Sequence, residues 1–229
     1  MIDLQNKTPK ILVVGDLMID HYLWGSSERI SPEAPVQIVN VDSESTVLGG
    51  AGNVINNLNA LGAVVDIISV IGECETSKEL KDLLCDIKIE TQYLITQKNR
   101  VTNKKSRIIA AQQQVVRYDR ESTSEINNKS QVAILKVFKK IVNNYGVILL
   151  SDYGKGVLTF ELTQSLITIA NENEKKLLVD PKGLNYSKYN GAYLLTPNKK
   201  EASEATNSVI NDNKSLTQAI KSLKKQCNL

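Results

Sequence analysis

Short apolar runs alternate with amphipathic stretches through this 229-residue chain, and that alternation restricts the folds open to it. Strands that alternate with helices predict a parallel sheet covered by helices on both faces, which is an α/β fold. Buried strands are predicted at residues 10–14, 64–72, 147–150, 177–179 and 193–195. Helices are predicted from about residue 51 to 61 and at 77–85, 131–142, 160–170, 199–205 and 215–226.

A second, smaller layer is predicted apart from the main sheet. Residues 36–41 alternate apolar and polar side chains, as a strand covered on one face does. Two further strand candidates lie at 106–110 and 114–118, and the three are expected to pair as an antiparallel layer. Residues 25–27 (Gly-Ser-Ser) are expected to break the chain before this layer.

Composition argues against several classes of partner and site. The 28 basic and 25 acidic residues are well mixed and leave a net charge of +3, so neither nucleic acid nor a membrane surface is expected as a partner. No apolar run approaches the roughly 18 residues of a membrane-spanning helix, and a signal-peptide pattern is lacking. Three cysteines without metal-ligand spacing suit a reducing cytoplasm. The single histidine, His21, is insufficient for a histidine-rich metal site.

The most informative short segment is Gly49-Gly50-Ala51-Gly52-Asn53, which leads into a predicted helix. Adjacent glycines allow a positive φ and a close approach of another molecule to the main chain. The first turn of a helix carries unpaired N–H groups that bind hydroxyls or anions. Asn53 can donate and accept hydrogen bonds, as recognition of a sugar hydroxyl requires. A tight turn with Asn53 as the helix cap is the alternative, and this segment alone does not decide between the two.

Polar clusters follow four of the predicted strands. In open parallel sheets, ligands bind at the carboxyl ends of strands. Because the clusters pair carboxylates with lysines or glycines, they favour a phosphate-handling site over four ordinary loops. Lys155 and Lys182 would offset phosphate charge, and Asp180 and Glu201 would hold Mg²⁺ directly or through water. The clusters are residues 15–20, 151–156, 180–183 and 196–201.

Motifs of other nucleotide-binding folds are absent from the sequence. It contains no G-x-x-x-x-G-K-[ST] segment, which excludes a P-loop enzyme. Ile55 stands where a dinucleotide-binding G-x-G-x-x-G would place its third glycine. The protein-kinase triplets H-R-D and D-F-G are also missing.

The glycine segment, together with Gly62 and Gly72, resembles the N-terminal signature of the PfkB/ribokinase-type carbohydrate kinases, although Ile55 replaces a small residue usual there. Further segments, in order from about residue 10 to 205, are similar to the kinase domains of bifunctional heptose 7-phosphate kinase/heptose 1-phosphate adenylyltransferases. They are GDLMID at 15–20, RISPEAPV at 29–36, LSDYGKG at 150–156, DPKG at 180–183 and LTPNKKE at 195–201.

The resemblance implies a ribokinase-like layered parallel sheet flanked by helices, with a small antiparallel β lid formed within about residues 17–42 and 105–119. It implies transfer of the ATP γ-phosphate, with Mg²⁺, to O1 of D-glycero-β-D-manno-heptose 7-phosphate. The product, the 1,7-bisphosphate, would lead toward ADP-heptose and lipopolysaccharide. A cytoplasmic homodimer formed through the lid is also implied.

Most site residues follow from the same resemblance, whereas Arg107, Gln113 and Arg117 are added because they face the predicted lid region, where they would help to hold the sugar phosphate. The lid arginines suit bidentate contacts with a sugar phosphate. An ion pair between a lid arginine and Asp119 or Glu121 is an equally good interpretation. Substrate-binding positions are Asp20, Gly49, Gly50, Asn53, Arg107, Gln113 and Arg117; phosphate or ATP positions are Asp152, Lys155, Lys182, Asn198 and Glu201; Mg²⁺ positions are Asp180 and Glu201.

One motif of these kinases does not occur in residues 1–229. It is the late G-A-G-D, whose glycines form an anion hole and whose aspartate takes the proton from the attacking hydroxyl. The chain is therefore expected to be a kinase domain truncated before that segment, without a catalytic base and with negligible activity by itself. A different sugar kinase of the same type and a non-catalytic sugar-phosphate-binding protein are the alternatives.

Overall fold

The computed structural model describes residues 8–229, which contain ten strands and six α-helices. The strands are β1 (Lys10–Gly15), β2 (Leu17–Ile30), β3 (Gln37–Gly50), β4 (Val64–Ile71), β5 (Leu94–Thr96), β6 (Asn103–Ala110), β7 (Gln113–Arg120), β8 (Val147–Ser151), β9 (Lys176–Asp180) and β10 (Leu194–Leu195). The helices are α1 (Ala51–Ala60), α2 (Glu75–Asp86), α3 (Asn128–Ile141), α4 (Phe160–Glu172), α5 (Lys199–Ala205) and α6 (Asn213–Cys227).

Six strands form a parallel sheet in the order β10-β9-β8-β1-β4-β5. Leu12, Val13 and Val14 of β1 have no exposed surface, because this strand is central and covered on both faces. The predicted α/β architecture is confirmed. The three-residue strand β5 was not predicted, since so short a segment carries no readable periodicity. Within residues 8–229, no helix has both the length and the apolar character needed to cross a lipid bilayer.

Two apolar clusters lie on opposite faces of this sheet. On one face Ile134 and Phe138 of α3 pack with Leu166 of α4, and α5 and α6 complete the cluster. On the other, Ile55 of α1 packs with Leu80 of α2. Helices on both faces leave the carboxyl ends of the strands as the open edge, where the loops can build a site.

The lid is a four-stranded sheet in the order β3-β2-β6-β7. Its two outer pairs are antiparallel, but β2 and β6 run parallel, so the layer is mixed rather than antiparallel as predicted. The reason lies in the main sheet: β2 and β6 continue the chain beyond β1 and β5, which are themselves parallel and point the same way.

Two predicted boundaries in the lid are wrong. Strand β2 continues through residues 25–27, with a shift in register at Trp24/Gly25 instead of a break. A Cβ on Gly25 would lie 1.9 Å from the carbonyl oxygen of Asn40, so this glycine allows the strands to approach at the irregularity. Strand β3 runs to Gly50 rather than ending at residue 41, because residues 43–46 are polar on both faces and give no alternation.

The predicted apolar face of α1 is wrong in part. Val54 and Leu58 are half-buried, but Leu61 is 83% exposed and lies after the end of the helix at Ala60. The buried residues of α1 are Ala51, Gly52 and Ile55. The N-terminal half of α1 is therefore its most buried part, and Leu58 adds a further contact with the same cluster.

Candidate functional site

The glycine pair joins the lid to α1 and brings the main chain against two aspartates. Gly50 has a φ of +56°, a value that residues other than glycine rarely adopt. A Cβ at this position would lie 2.6 Å from the carbonyl oxygen of Asp16. A Cβ on Gly49 would lie 2.3 Å from Oδ2 of Asp20. Both positions thus require glycine for close approach within the chain itself, beside the predicted sugar-binding carboxylate.

Asn53 lies in the first turn of α1 with an exposed side chain. The N-cap position belongs to Gly50, and no side chain caps the helix. The alternative in which Asn53 is the helix cap is therefore wrong. Its amide remains accessible to a molecule bound at the open edge of the sheet.

Asp20 and Arg107 form a close ion pair in which Arg107 Nη1 donates to Asp20 Oδ1 at 2.6 Å. The guanidinium group also lies over the ring of Tyr22, 5.2 Å from its centre. These two contacts fix the arginine from two directions. Four predicted residues, Asp20, Gly49, Gly50 and Arg107, therefore meet at the base of the lid.

A chain of ion pairs connects the lid to the loop after β8. Lys105 Nζ lies 3.3 Å from Asp119 Oδ2 and 3.4 Å from Glu121 Oε2. Lys155 Nζ lies 2.8 Å from Glu121 Oε2. Lys155, predicted to lie near phosphate, therefore holds the lid against the body.

Arg117 is paired with Asp119 through two hydrogen bonds of 2.9 and 2.7 Å. For Arg117, the structure therefore shows the predicted alternative in which a lid arginine pairs with Asp119. The hydrogen bonds from Arg117 outweigh partial burial and, together with the charge of Lys105, lower the pKa of Asp119 to about 2.

Gln113 does not lie near the other predicted substrate residues. It pairs with Ala110 at the far end of the β6–β7 hairpin, whereas Asp20 pairs with Lys105. Five residues of strand separate these levels, or about 16 Å at 3.3 Å per residue. Gln113 and Asp20 therefore lie at opposite ends of this part of the lid.

Asp16, which was not predicted as a functional residue, organises the loop that carries Lys155. It is fully buried, and its carboxylate accepts backbone N–H groups of Tyr153, Lys155 and Val157 at 2.9, 3.1 and 3.0 Å. Burial, followed by the charge of Asp152, raises the pKa of Asp16 despite these hydrogen bonds. The arrangement shapes a loop without presenting a side chain to solvent.

Arg100 supports the same loop and was also not predicted. Its guanidinium donates to the carbonyl oxygens of Ser124 and Lys155 and is mostly buried. Asp16 and Arg100 lie far apart in sequence and belong to no recognisable spacing pattern. Their shared role in this loop is visible only from the long-range contacts of the folded chain.

Asp152 was predicted to bind phosphate or ATP, but its carboxylate is buried and bonded within the protein. The Tyr189 hydroxyl donates to Oδ2 at 2.9 Å and the Gly154 N–H to Oδ1 at 2.8 Å. Lys188 forms an ion pair with the same carboxylate. Three donors of the protein thus hold this carboxylate in the loop, and its phosphate role stays a prediction.

Asn198 and Glu201 form a reciprocal capping box at the start of α5. The N–H of Glu201 donates to Asn198 Oδ1 at 2.9 Å, and the N–H of Asn198 donates to Glu201 Oε2 at 3.0 Å. Lys182 Nζ donates to Glu201 Oε1 at 2.9 Å. The predicted N-x-x-E motif thus has a structural role that is independent of any ligand.

Asp180 and Glu201 interact electrostatically at the ends of neighbouring segments. Burial, followed by the charge of Glu201, raises the pKa of Asp180. Although partial burial raises it, the hydrogen bonds from Lys182 and Asn198 keep the pKa of Glu201 below its usual value.

Among residues 8–229, no group of three or more His, Cys, Asp or Glu side chains is arranged to hold a metal ion. Mg²⁺ needs only one or two carboxylates, since water and substrate phosphates complete its ligands. The half-buried pair Asp180 and Glu201 fits that requirement, because a cation between them would relieve their repulsion.

Comparison with known proteins gives a match over nearly the whole chain. Residues 8–228 match the family described as "pfkB family carbohydrate kinase". The chain is 63% identical over 224 residues to the bifunctional protein HldE of Aliarcobacter butzleri, and 56% identical over 226 residues to that of Sulfurimonas denitrificans. These matches cover 98% and 99% of this chain but 47% of each relative. The chain thus spans about half the length of these relatives.

Solved structures agree in fold. Ribokinase from Arabidopsis thaliana, complexed with ribose and ATP, superposes with a TM-score of 0.70 at 16% identity, covering 96% of this chain and 70% of that one. Phosphofructokinase-2 from Escherichia coli gives a TM-score of 0.71 at 17% identity, with coverage of 96% and 71%. At such low identity the likeness establishes the fold alone, and it is the predicted ribokinase-like fold.

Proposed function

Because this chain belongs to the pfkB family of carbohydrate kinases, we propose that residues 8–229 form the sugar-binding part of a heptose 7-phosphate kinase domain. The substrate is D-glycero-β-D-manno-heptose 7-phosphate, phosphorylated at O1 by ATP. The observation that carries the proposal is the contact of Asp20 with both the Gly49–Gly50 turn and Arg107, at the start of the helix whose first turn exposes Asn53. The identity of the chain to the relatives named HldE supports the choice of substrate class.

Each group at the base of the lid has a chemical task in this proposal. Asp20 accepts hydrogen bonds from sugar hydroxyls through Oδ2, while Oδ1 stays with Arg107. Asn53 donates to and accepts from a further hydroxyl. Arg107 supplies a fixed cation for the phosphate on the substrate, since a guanidinium group matches phosphate geometry.

The carboxyl ends of β8 and β9 supply the phosphate-handling side. Lys155 and Lys182 offset the charge of ATP phosphates, and both are now held by carboxylates that the phosphates would replace. Asp180 and Glu201 would hold Mg²⁺, which supplies neutralisation of the charge that develops on the transferred phosphoryl group. The protein's part of the catalysis is alignment and charge stabilisation.

Calorimetric titration with heptose 7-phosphate tests the proposed binding. Wild-type protein is expected to bind, whereas Asn53→Ala and Asp20→Asn weaken binding at least tenfold, a loss of about 1.4 kcal/mol or more. Asn57→Ala, at another exposed asparagine of α1, is the matched control and leaves binding unchanged. Absence of heat with the wild-type protein would refute the proposal. Tighter binding of fructose 6-phosphate or ribose would reassign the chain to another sugar kinase of the family.

We also propose that two copies of the chain associate through the back of the lid. This face, opposite Asp20, carries Leu23, Ile108, Val116 and Tyr118, which alternate with the front-face residues along their strands. Val116 and Tyr118 are exposed, and such an apolar surface favours association.

Sedimentation tests the dimer. Wild-type protein is expected to sediment as a dimer and Val116→Lys as a monomer, while Val132→Lys, at an exposed valine of α3, keeps the dimer. A monomeric wild-type protein at all accessible concentrations would exclude this association.

A further inference from the structure

The front face of the lid carries an aromatic pair, Tyr22 and Trp24, of which Trp24 has no role in the site described above. Tyr22 and Trp24 follow Asp20 at alternate positions of β2, so the three side chains lie on one face. Their rings stack with centres 5.9 Å apart and 21° between the planes. Trp24 is 43% exposed, and its Nε1 donates to Ser45 Oγ at 3.3 Å. The Trp24 side chain is thus held by two contacts while much of its surface stays accessible.

This face is turned toward the candidate site. Gly49 lies against Asp20 at its base. Lys105, which pairs with Asp20 in register, reaches Glu121, and Glu121 contacts Lys155 in the loop after β8. Side chains of the front face and of the main-sheet loops therefore border one space.

We propose that Tyr22 and Trp24 form a carbohydrate-stacking platform, on which the C–H face of the bound sugar phosphate rests. The inference rests on the proposed function and adds two specificity-determining residues to it. The face of an aromatic ring carries partial negative charge, whereas sugar C–H bonds carry partial positive charge, and the contact removes apolar surface from water. Hydroxyl groups on the other edge of the sugar remain free for Asp20 and Asn53.

Tyr22 has a second task as a positioning residue for Arg107. The guanidinium lies 5.2 Å from the centre of the Tyr22 ring and donates to Asp20. The ring therefore holds a cation at the border of the stacking surface, where a phosphate carried by the sugar would reach it. A small anion without a sugar gains nothing from the platform, so the arrangement selects sugar phosphates over free phosphate.

The chain contains a single tryptophan, so its fluorescence reports directly on the platform. Titration with heptose 7-phosphate is expected to shift the emission of Trp24 to shorter wavelength as the sugar covers the ring. Inorganic phosphate at the same concentrations is expected to leave the emission unchanged. An emission spectrum that stays constant while calorimetry records sugar-phosphate binding would overturn the platform.

Variants test the same inference without the reporter. Tyr22→Leu and Trp24→Leu are each expected to weaken heptose 7-phosphate binding at least tenfold in calorimetry, whereas Tyr22→Phe keeps the ring and the affinity. Tyr193→Leu is the matched control, because Tyr193 is an exposed tyrosine with Lys176 over its ring at 5.0 Å, outside the lid. This control is expected to bind as the wild-type protein does.

The outcomes separate the two proposals. Wild-type binding that Tyr22→Leu and Trp24→Leu leave intact overturns the platform but keeps the proposed function. No binding by the wild-type protein overturns both. If Tyr22→Leu fails to fold, Trp24→Leu still tests the platform. Trp24 is exposed, so its substitution leaves the core of the main sheet untouched.

Discussion

At the scale of single residues, the carboxylate of Asp20 occupies the space that a side chain at position 49 would need. Its Oδ2 lies 2.3 Å from the position of a Cβ on Gly49, and Met18 Cγ lies 3.0 Å from it. The sequence predicts that Gly49 and Asp20 belong to one site, but not that they touch. The close approach of Asp20 thus favours glycine at position 49, whereas the positive φ of the turn belongs to Gly50.

Gly49→Ala is expected to displace Asp20 from its present position. Because a carboxylate can rotate away, the loss in free energy of unfolding is about 1–2 kcal/mol, at the mild end for overpacking. Binding of heptose 7-phosphate should fall at least tenfold, since the displaced carboxylate leaves the sugar site. Urea unfolding and calorimetry measure the two effects.

Gly146→Ala provides the control for this prediction. A Cβ at Gly146 meets nothing closer than the carbonyl oxygen of Lys10 at 3.8 Å, and its φ lies outside the left-handed range. Binding is expected to stay at the wild-type level, and the free energy of unfolding is expected to rise by about 0.4–1 kcal/mol, since alanine restricts the unfolded chain. Equal binding by Gly49→Ala and the wild-type protein would show that Asp20 does not contact the sugar.

Asp16→Asn is expected to change both stability and its pH dependence. The amide NH₂ would face backbone donors, which costs about 1–3 kcal/mol. Since the pKa of Asp16 is raised, the folded state holds the proton more tightly than the unfolded state. This site therefore contributes stability that is complete below the ordinary value of 3.8 and declines as pH rises through the folded-state pKa.

Urea unfolding at about pH 4 and about pH 7 measures this difference. The deficit of Asp16→Asn relative to the wild-type protein is expected to narrow toward the higher pH. Asp42→Asn, at an exposed lid position, should show no such trend. A deficit that widens with pH would mean that the hydrogen bonds outweigh burial at Asp16.

At the scale of elements, the predicted strands and helices of the main sheet are confirmed because burial on two faces leaves clear apolar runs. The lid was harder to predict. Residues 43–46 have no apolar face, and Gly25 lies inside a strand where a break was expected. Parallel pairing of β2 with β6 is set by where two distant strands end, which no local pattern encodes.

Helix α5 shows that the N-x-x-E motif has a structural role of its own. Asn198→Ala removes the cap and is expected to cost about 1 kcal/mol in unfolding free energy. Asn198→Ser restores a capping oxygen, so its stability should return to within a few tenths of a kcal/mol of the wild-type value. Urea unfolding of the three proteins tests this. Equal stability of the alanine variant would show that the capping box contributes nothing.

At the scale of the whole molecule, two sheets share one junction. The chain passes from β1 to β2 through Asp16, which also holds the loop after β8, and Lys155 in that loop contacts Glu121 next to the lid. A sugar between the sheets would therefore meet groups from both. The sequence was sufficient to predict that Asp20, Asn53 and Lys182 lie near the ends of strands. The contacts that link the two sheets join residues far apart in sequence, and these could not be predicted from local patterns.

The whole molecule also sets an expectation for turnover by the 229-residue chain. In the proposed site Lys155 and Lys182 would offset phosphate charge and Asp180 and Glu201 would hold Mg²⁺, but no residue is proposed to take the proton from the attacking hydroxyl, and the sequence contains no G-A-G-D segment. We expect heptose 7-phosphate to bind while ADP release, in a coupled assay with Mg²⁺ and ATP, stays at the background rate. Loss of general-base catalysis alone removes about 10²–10⁴-fold in rate. The Asp20→Asn variant sets that background, because it weakens sugar binding without adding a base. Turnover above this background would show that a residue among those described acts as the base.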